Sequence, residues 1–127
     1  MPAAFNGNIY YGPVGSPLLR FRFKNAKLLT TAVAKTTNSF GYPGATPSVS
    51  ASAGKNAIVW AAENTSPAVL HAYNALTLVE IYNTNQAANG RDHFGNGNKY
   101  ITPMIANGKV YVGTTNGVGV FGLVSAK

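Results

Sequence analysis

Two stretches of the chain, Pro2–Gly12 (PAAFNGNIYYG) and Pro103–Gly113 (PMIANGKVYVG), share one pattern: Pro-x-x-x-Asn-Gly-x-(Ile/Val)-Tyr-x-Gly. A unit repeated at a regular period buries its apolar face against copies of itself, so the repeat constrains the fold before any single motif does. Sliding the chain by about fifty residues brings Ser16–Phe23 (SPLLRFRF) onto Ser66–Tyr73 (SPAVLHAY), and a second such step lays Val120–Leu123 on Leu70–Tyr73. The strand after the Asn-Gly turn recurs as IYYG from Ile9, VWAA from Val59 and VYVG from Val110. The unit is therefore written three times, over about 2–35, 46–85 and 100–124, with the middle copy most diverged.

Each copy parses into strands A to D. In the second, Thr46–Ala51 is strand A, Ala57–Glu63 strand B, Ala68–Asn74 strand C and Thr77–Asn83 strand D. Asn6-Gly7 and Asn107-Gly108 are strong hairpin signals, because a two-residue I′ turn needs positive φ at both central positions. Antiparallel four-stranded sheets repeating every 40 to 50 residues or so are the blades of a β-propeller. The predicted fold is all-β: three four-stranded antiparallel propeller blades in one domain of 127 residues, the last blade incomplete.

Ala72–Tyr82 (AYNALTLVEIY) resembles the Ala-x-Asp-x-x-Thr-Gly-x-x-x-Trp signature of quinoprotein-type propeller repeats. Ala72 and Thr77 match directly, Asn74 stands for the Asp, Leu78 for the Gly and Tyr82 for the Trp. The chain as a whole is similar to the C-terminal region of bacterial pyrroloquinoline-quinone-like repeat proteins. That resemblance implies the fold, and relatives that are secreted or periplasmic. It does not bring the quinone's carboxylate-bound calcium or stacked Trp, for which nothing in the sequence stands.

Composition narrows the chemistry. The net charge is +7, six of the ten basic residues fall between Arg20 and Lys55, and the carboxylates number three: Glu63, Glu80 and Asp92. A calcium cage or a paired-carboxylate mechanism would consume nearly all of them. Cysteine is absent, which excludes disulfides and thiolate chemistry. The first residues, MPAAFNGNIYY, lack the basic start and apolar core of a signal peptide. No apolar run reaches the roughly 18 residues of a membrane span, so a membrane is not an expected partner.

Closed propellers hold roughly four to eight blades. Three blades make half of a six-bladed ring, so the sequence predicts completion by self-association as a homodimer. A blade face of four strands at ~4.8 Å by five residues at ~3.3 Å covers roughly 300 Å². Strand C of the third copy, Val118–Val124, would otherwise be a bare apolar edge.

The A-B-C-D order puts the B–C and D–A connections on one rim, including the long loops Thr36–Ala45 and Gln86–Lys99. Long Gly-rich loops on a rigid scaffold commonly carry function, here ligand or partner binding. Arg91, Asp92 and His93 form a catalytic-type cluster. His93 could act as general base, Asp92 as its orienter or a calcium ligand, and Arg91 on an oxyanion. Calcium-assisted lactone or ester hydrolysis is thus the enzymatic alternative, and the competing view has Asp92 and Arg91 pinning a loop. Ser39, Tyr42 and Ser66 share the rim as candidate nucleophiles or proton donors, or simply as turn hydroxyls bonding backbone. His71 aligns with Phe21 and Phe121 and is expected in the core, as is Trp60, which aligns with Tyr10 and Tyr111. In Arg20–Lys27 (RFRFKNAK) basic and aromatic residues alternate, which suits an anionic polymer; any half-buried strand with a solvated outer face shows the same pattern. Nucleic acid is not the expected polymer.

Overall fold

The computed structural model describes residues 1–123 of the chain, so Val124 and the rest of the closing VSAK lie outside the described residues. The molecule is all-β, in three antiparallel sheets that follow one another along the chain and do not close into a barrel. Both Asn-Gly pairs make their predicted turns: φ is 45° and 71° at Asn6-Gly7, and 48° and 70° at Asn107-Gly108. Asn25-Ala26 and Ala53-Gly54 also take positive φ at both positions.

The first sheet runs β1 (Ala3–Phe5), β2 (Asn8–Tyr11), β3 (Ser16–Lys24) and β4 (Lys27–Leu28), and β5 (Ala34–Phe40) pairs with the first part of β3. The second sheet is β6 (Ser48–Ser52), β7 (Lys55–Glu63), β8 (Val69–Asn74) and β9 (Glu80–Asn83). The third holds β10 (Met104–Ala106), β11 (Lys109–Gly113) and β12 (Val118–Phe121). One expectation is corrected here. Thr36–Phe40, predicted to open a long loop, belongs to β5, the fifth strand of the first sheet, so Ser39 is a strand residue opposite Pro17. The inward positions of β5 are Ala34, Thr36, Asn38 and Phe40, a polar-looking alternation that hides a strand.

Two buried threonines complete the sheets, Thr36 where the β3–β5 pairing slips and Thr84 just past the end of the β8–β9 ladder. Leu18 N–H donates to Thr36 Oγ1 at 3.0 Å and Leu70 N–H to Thr84 Oγ1 at 3.2 Å. A hydroxyl there supplies the acceptor that an enclosed amide would otherwise lack.

Two apolar cores join the three sheets. Tyr10, Leu18 and Phe40 of the first sheet meet Val59, Ala61 and Tyr73 of the second, all essentially buried. On the other side of the second sheet, Leu70 with Trp60 and Ala62 packs on Val110, Val112 and Phe121 of the third. Close approach is enforced at Gly119, where an added Cβ would lie 2.6 Å from Phe94 Cδ2; the Phe94 ring stands edge-on to Phe121 at 5.0 Å.

The repeat is thereby visible in space. Val59 and Val110, equivalent positions, each face the preceding sheet, and their counterpart Ile9 faces outward from the first. Tyr10 and Trp60 each pack toward the following sheet, and their counterpart Tyr111 lies on the outward side of the third. Each sheet thus has a receiving side and an offering side, and the described residues leave one of each uncovered.

The turn between β8 and β9 is built from the signature-like residues. Asn74 Oδ1 accepts from the N–H groups of Leu76 (2.9 Å) and Thr77 (3.1 Å), and Thr77 Oγ1 accepts from Val79 N–H. Leu78, at the signature's glycine position, has φ of 56° and is buried. A left-handed non-glycine residue costs about 1–2 kcal/mol, and burying a leucine returns about 1.5–3 kcal/mol, so burial wins.

Candidate binding site on the loop rim

The B–C and D–A connections do gather on one rim, and backbone hydrogen bonds stitch them together. Ala45 N–H donates to Gly12 O, Ala68 N–H to Gly95 O, Gly97 N–H to Thr65 O and Thr115 N–H to Asn96 O. The segment from Thr84 to Pro103 therefore lies across two neighbouring turns as a fixed strap. Gly97 permits this closeness, since a Cβ there would fall 2.8 Å from the Asn64 backbone.

On this scaffold Tyr42 and Tyr100 stand out, 57% and 65% exposed. Their hydroxyls are 2.9 Å apart, their rings meet edge-on, and Lys99 Nζ sits 5.3 Å over the Tyr42 ring. The Tyr42 hydroxyl holds the Tyr100 phenol above its ordinary pKa. Beside them, Asn64 Nδ2 donates to Tyr42 O, and Ser66 Oγ donates to Asn96 Oδ1 at 2.7 Å. Tyr42 and Ser66 are thus neighbours of one patch, whereas Ser39 lies exposed on β5.

Arg91, Asp92 and His93 are arranged differently from a catalytic trio. Asp92 Oδ1 accepts from Arg91 Nε at 2.7 Å, and Asp92 Oδ2 accepts from Arg91 Nη2 at 3.0 Å and from the Tyr82 hydroxyl. Arg91 first, then Tyr82, pull the Asp92 carboxyl down to about 2. Burial, followed by the Asp92 carboxylate, pushes the Tyr82 phenol up. His93 is exposed, and its ring stands where a side chain on Gly90 would be. Asp92 pins β9 to the strap through Tyr82, and calcium at Asp92 would have to displace Arg91. Among the described residues no group of three His, Cys, Asp or Glu side chains is placed to hold a metal ion.

A second ionisable cluster is absent from the sequence reading, in which Arg91–His93 stands alone. His71 is packed in the core as expected, stacked on Tyr73 and edge-on to Phe40. Its Nδ1 lies 2.6 Å from Glu80 Oε1 and its Nε2 3.2 Å from Glu63 Oε2. Asn83 Nδ2 donates to Glu80 Oε2, and Tyr73 donates to Asn38 Oδ1 at 2.7 Å. The cluster ties β7, β8 and β9 together under the first sheet. Register alone could have revealed it, since Ala61 faces His71 and Asn83 lies on its other side.

The Arg20–Lys27 stripe alternates as expected, but its sides are reversed relative to a solvated outer face. Arg20 is opposite Tyr10 and shares the side turned to the second sheet, while Phe21 is opposite Ile9 on the uncovered side. No protein-family model matches this chain, and no curated protein or solved structure matches it.

Proposed function

We propose that the chain is a propeller-repeat module of the quinoprotein type, which closes a six-bladed ring by head-to-tail pairing of two copies and binds a ligand or partner on its loop rim. The observation that carries this reading is the pair of unmatched sides. Ile9, Tyr11, Leu19, Phe21 and Phe23 lie on the uncovered side of the first sheet, with Tyr11 and Phe23 nearly half exposed. Met104, Tyr111, Val118 and Val120 lie on the uncovered side of the third, where Met104, Val118 and Val120 are more than half exposed. Their repeat equivalents form the two internal cores, which supports a fit between an offering side and a receiving side of two copies.

Two such sides of roughly 300 Å² each leave about 600 Å² of apolar surface per chain, at the upper limit for a monomer. Pairing two copies buries about 1,200 Å², the size of a specific interface. At ~25 cal/mol per Å² this supplies at most ~30 kcal/mol before the cost of association. A head-to-tail contact gives a closed pair only if the rotation closes, which two half-rings satisfy.

The Asn74 turn supports the resemblance to quinoprotein-type repeats, because Asn74 accepts the turn amides and Leu78 takes the backbone conformation that a glycine adopts readily. For the rim, the exposed Tyr42–Tyr100 pair under Lys99 offers aromatic faces and hydroxyl donors on a fixed strap, a surface made for binding. The test is the native mass by light scattering. A mass of two chains is expected at micromolar concentration, and a single-chain mass persisting to about 100 μM, where an interface of this size is saturated, overturns the ring.

A further inference from the structure

A concave site lies on the opposite rim, between the first two sheets, at the turns joining β1 to β2, β6 to β7 and β8 to β9. It consists of two adjoining clefts of about 400 and 290 Å³ that share Asn6, Asn8 and Leu76. Their size suits a small ligand. Arg20, Arg22 and Lys24 reach it from β3 and Lys55 from the second sheet, and no carboxylate lines either cleft.

Arg20 is fixed beside the clefts. Its Nη1 donates to Asn8 Oδ1 at 2.7 Å, and Asn8 is held in turn by its own Nδ2 on Asn6 O at 2.9 Å. With its Nε enclosed, Arg20 contributes a fixed positive charge, and the exposed Arg22 and Lys55 are the groups placed to meet a carboxylate or sulfate directly. Asn6 and Asn56, turn residues at φ of 45° and 51°, add amides, each with donors and an acceptor. The apolar lining is modest, Phe5 and Leu76 among it, and the Tyr10 ring is fully buried with its hydroxyl on Ala75 O.

We infer that this inter-sheet cleft binds an acidic oligosaccharide, its carboxylates or sulfates on Arg22 and Lys55 in the field of Arg20 and its hydroxyls on the asparagine amides. Single-stranded nucleic acid asks for successive exposed rings on which bases stack. Of the aromatic residues lining the two clefts, Tyr10 is buried, Phe5 is half-buried and Phe23 is the one exposed ring. The site lies within one chain and does not depend on ring closure.

The experiment is calorimetric titration of the intact protein with tetragalacturonate, repeated for Arg22→Glu, Lys55→Glu and Lys109→Glu, with an octathymidine strand as the competing polyanion. Arg22, Lys55 and Lys109 are exposed, so their variants fold, which circular dichroism verifies. Lys109→Glu carries the same charge change on the third sheet, away from both clefts. Saturable binding is expected, weakened about tenfold or more by Arg22→Glu and by Lys55→Glu, and changed by about twofold or less by Lys109→Glu. The absence of binding, an equal loss in all three variants, or octathymidine binding as tightly as the uronate would each overturn the assignment.

Discussion

Replacing Val120 by glutamate separates a ring from a monomer that merely tolerates exposed apolar surface. Val120 is opposite Tyr111 on the uncovered side of the third sheet and is 52% exposed in the single chain. In the monomer the change is a surface substitution on a strand, worth about 1 kcal/mol or less. In a head-to-tail pair the carboxylate would be carried into an apolar interface without a partner. The effective penalty for one uncompensated ion is several kcal/mol; about 3 kcal/mol is a conservative figure. A closed pair contains the substituted side twice, so the loss is ~6 kcal/mol, or roughly 10⁴-fold in the dimer dissociation constant. Ile81→Glu is the control: Ile81 is 54% exposed but lies on β9, away from both end faces. Sedimentation equilibrium of the three proteins should show Val120→Glu monomeric and the other two paired, with melting temperatures within a few degrees of one another. If Val120→Glu pairs as tightly as the parent, that face is not an interface and head-to-tail closure is wrong.

Three further outcomes follow from the packing. Gly119→Ala must displace the Phe94 ring and should lower stability by about 1–3 kcal/mol in denaturant titration, whereas Gly117→Ala, with its nearest contact at 3.7 Å, should not repeat that loss. Tyr73→Phe removes the hydroxyl that satisfies Asn38 Oδ1 in the first core and should cost about 1–3 kcal/mol with no change in native mass. The Asp92 carboxyl is lowered in the folded chain, so its contribution is complete above the unfolded value near 4 and disappears as pH falls toward about 2. The difference in melting temperature between the parent and Asp92→Asn should therefore be constant above about pH 4 and shrink between about pH 4 and 2. A difference that grows on acidification would contradict the Arg91–Tyr82 clamp.

What the sequence reveals depends on whether the information is local. Positive φ at Asn-Gly is a property of two residues, so the hairpins at Asn6-Gly7 and Asn107-Gly108 were legible, and the repeat then placed β7, β8 and β11. Strand β5 was not, because its inward side carries Thr36 and Asn38, whose partners, Leu18 N–H and the Tyr73 hydroxyl, lie on other strands. His71 could be assigned to the core from its alignment with two phenylalanines, but Glu63 and Glu80 reach it only through the register of three strands. Asn6 and Asn56 signal turns in any sequence, and only the approach of Arg20 and Lys55 from different sheets makes a cleft of them. Arg91, Asp92 and His93 are adjacent in the chain, yet Asp92 takes Tyr82 from β9, a choice no spacing rule could make.

The enclosure of His71 between Glu63 and Glu80 has a consequence far beyond the core. It engages two of the three carboxylates, and the third is paired with Arg91. With ten basic residues against three acidic ones, each of them already partnered, the field that an approaching solute meets is predominantly positive. Association with acidic partners should accordingly be fast at low ionic strength and slow steeply as salt is added, before any specific contact is made.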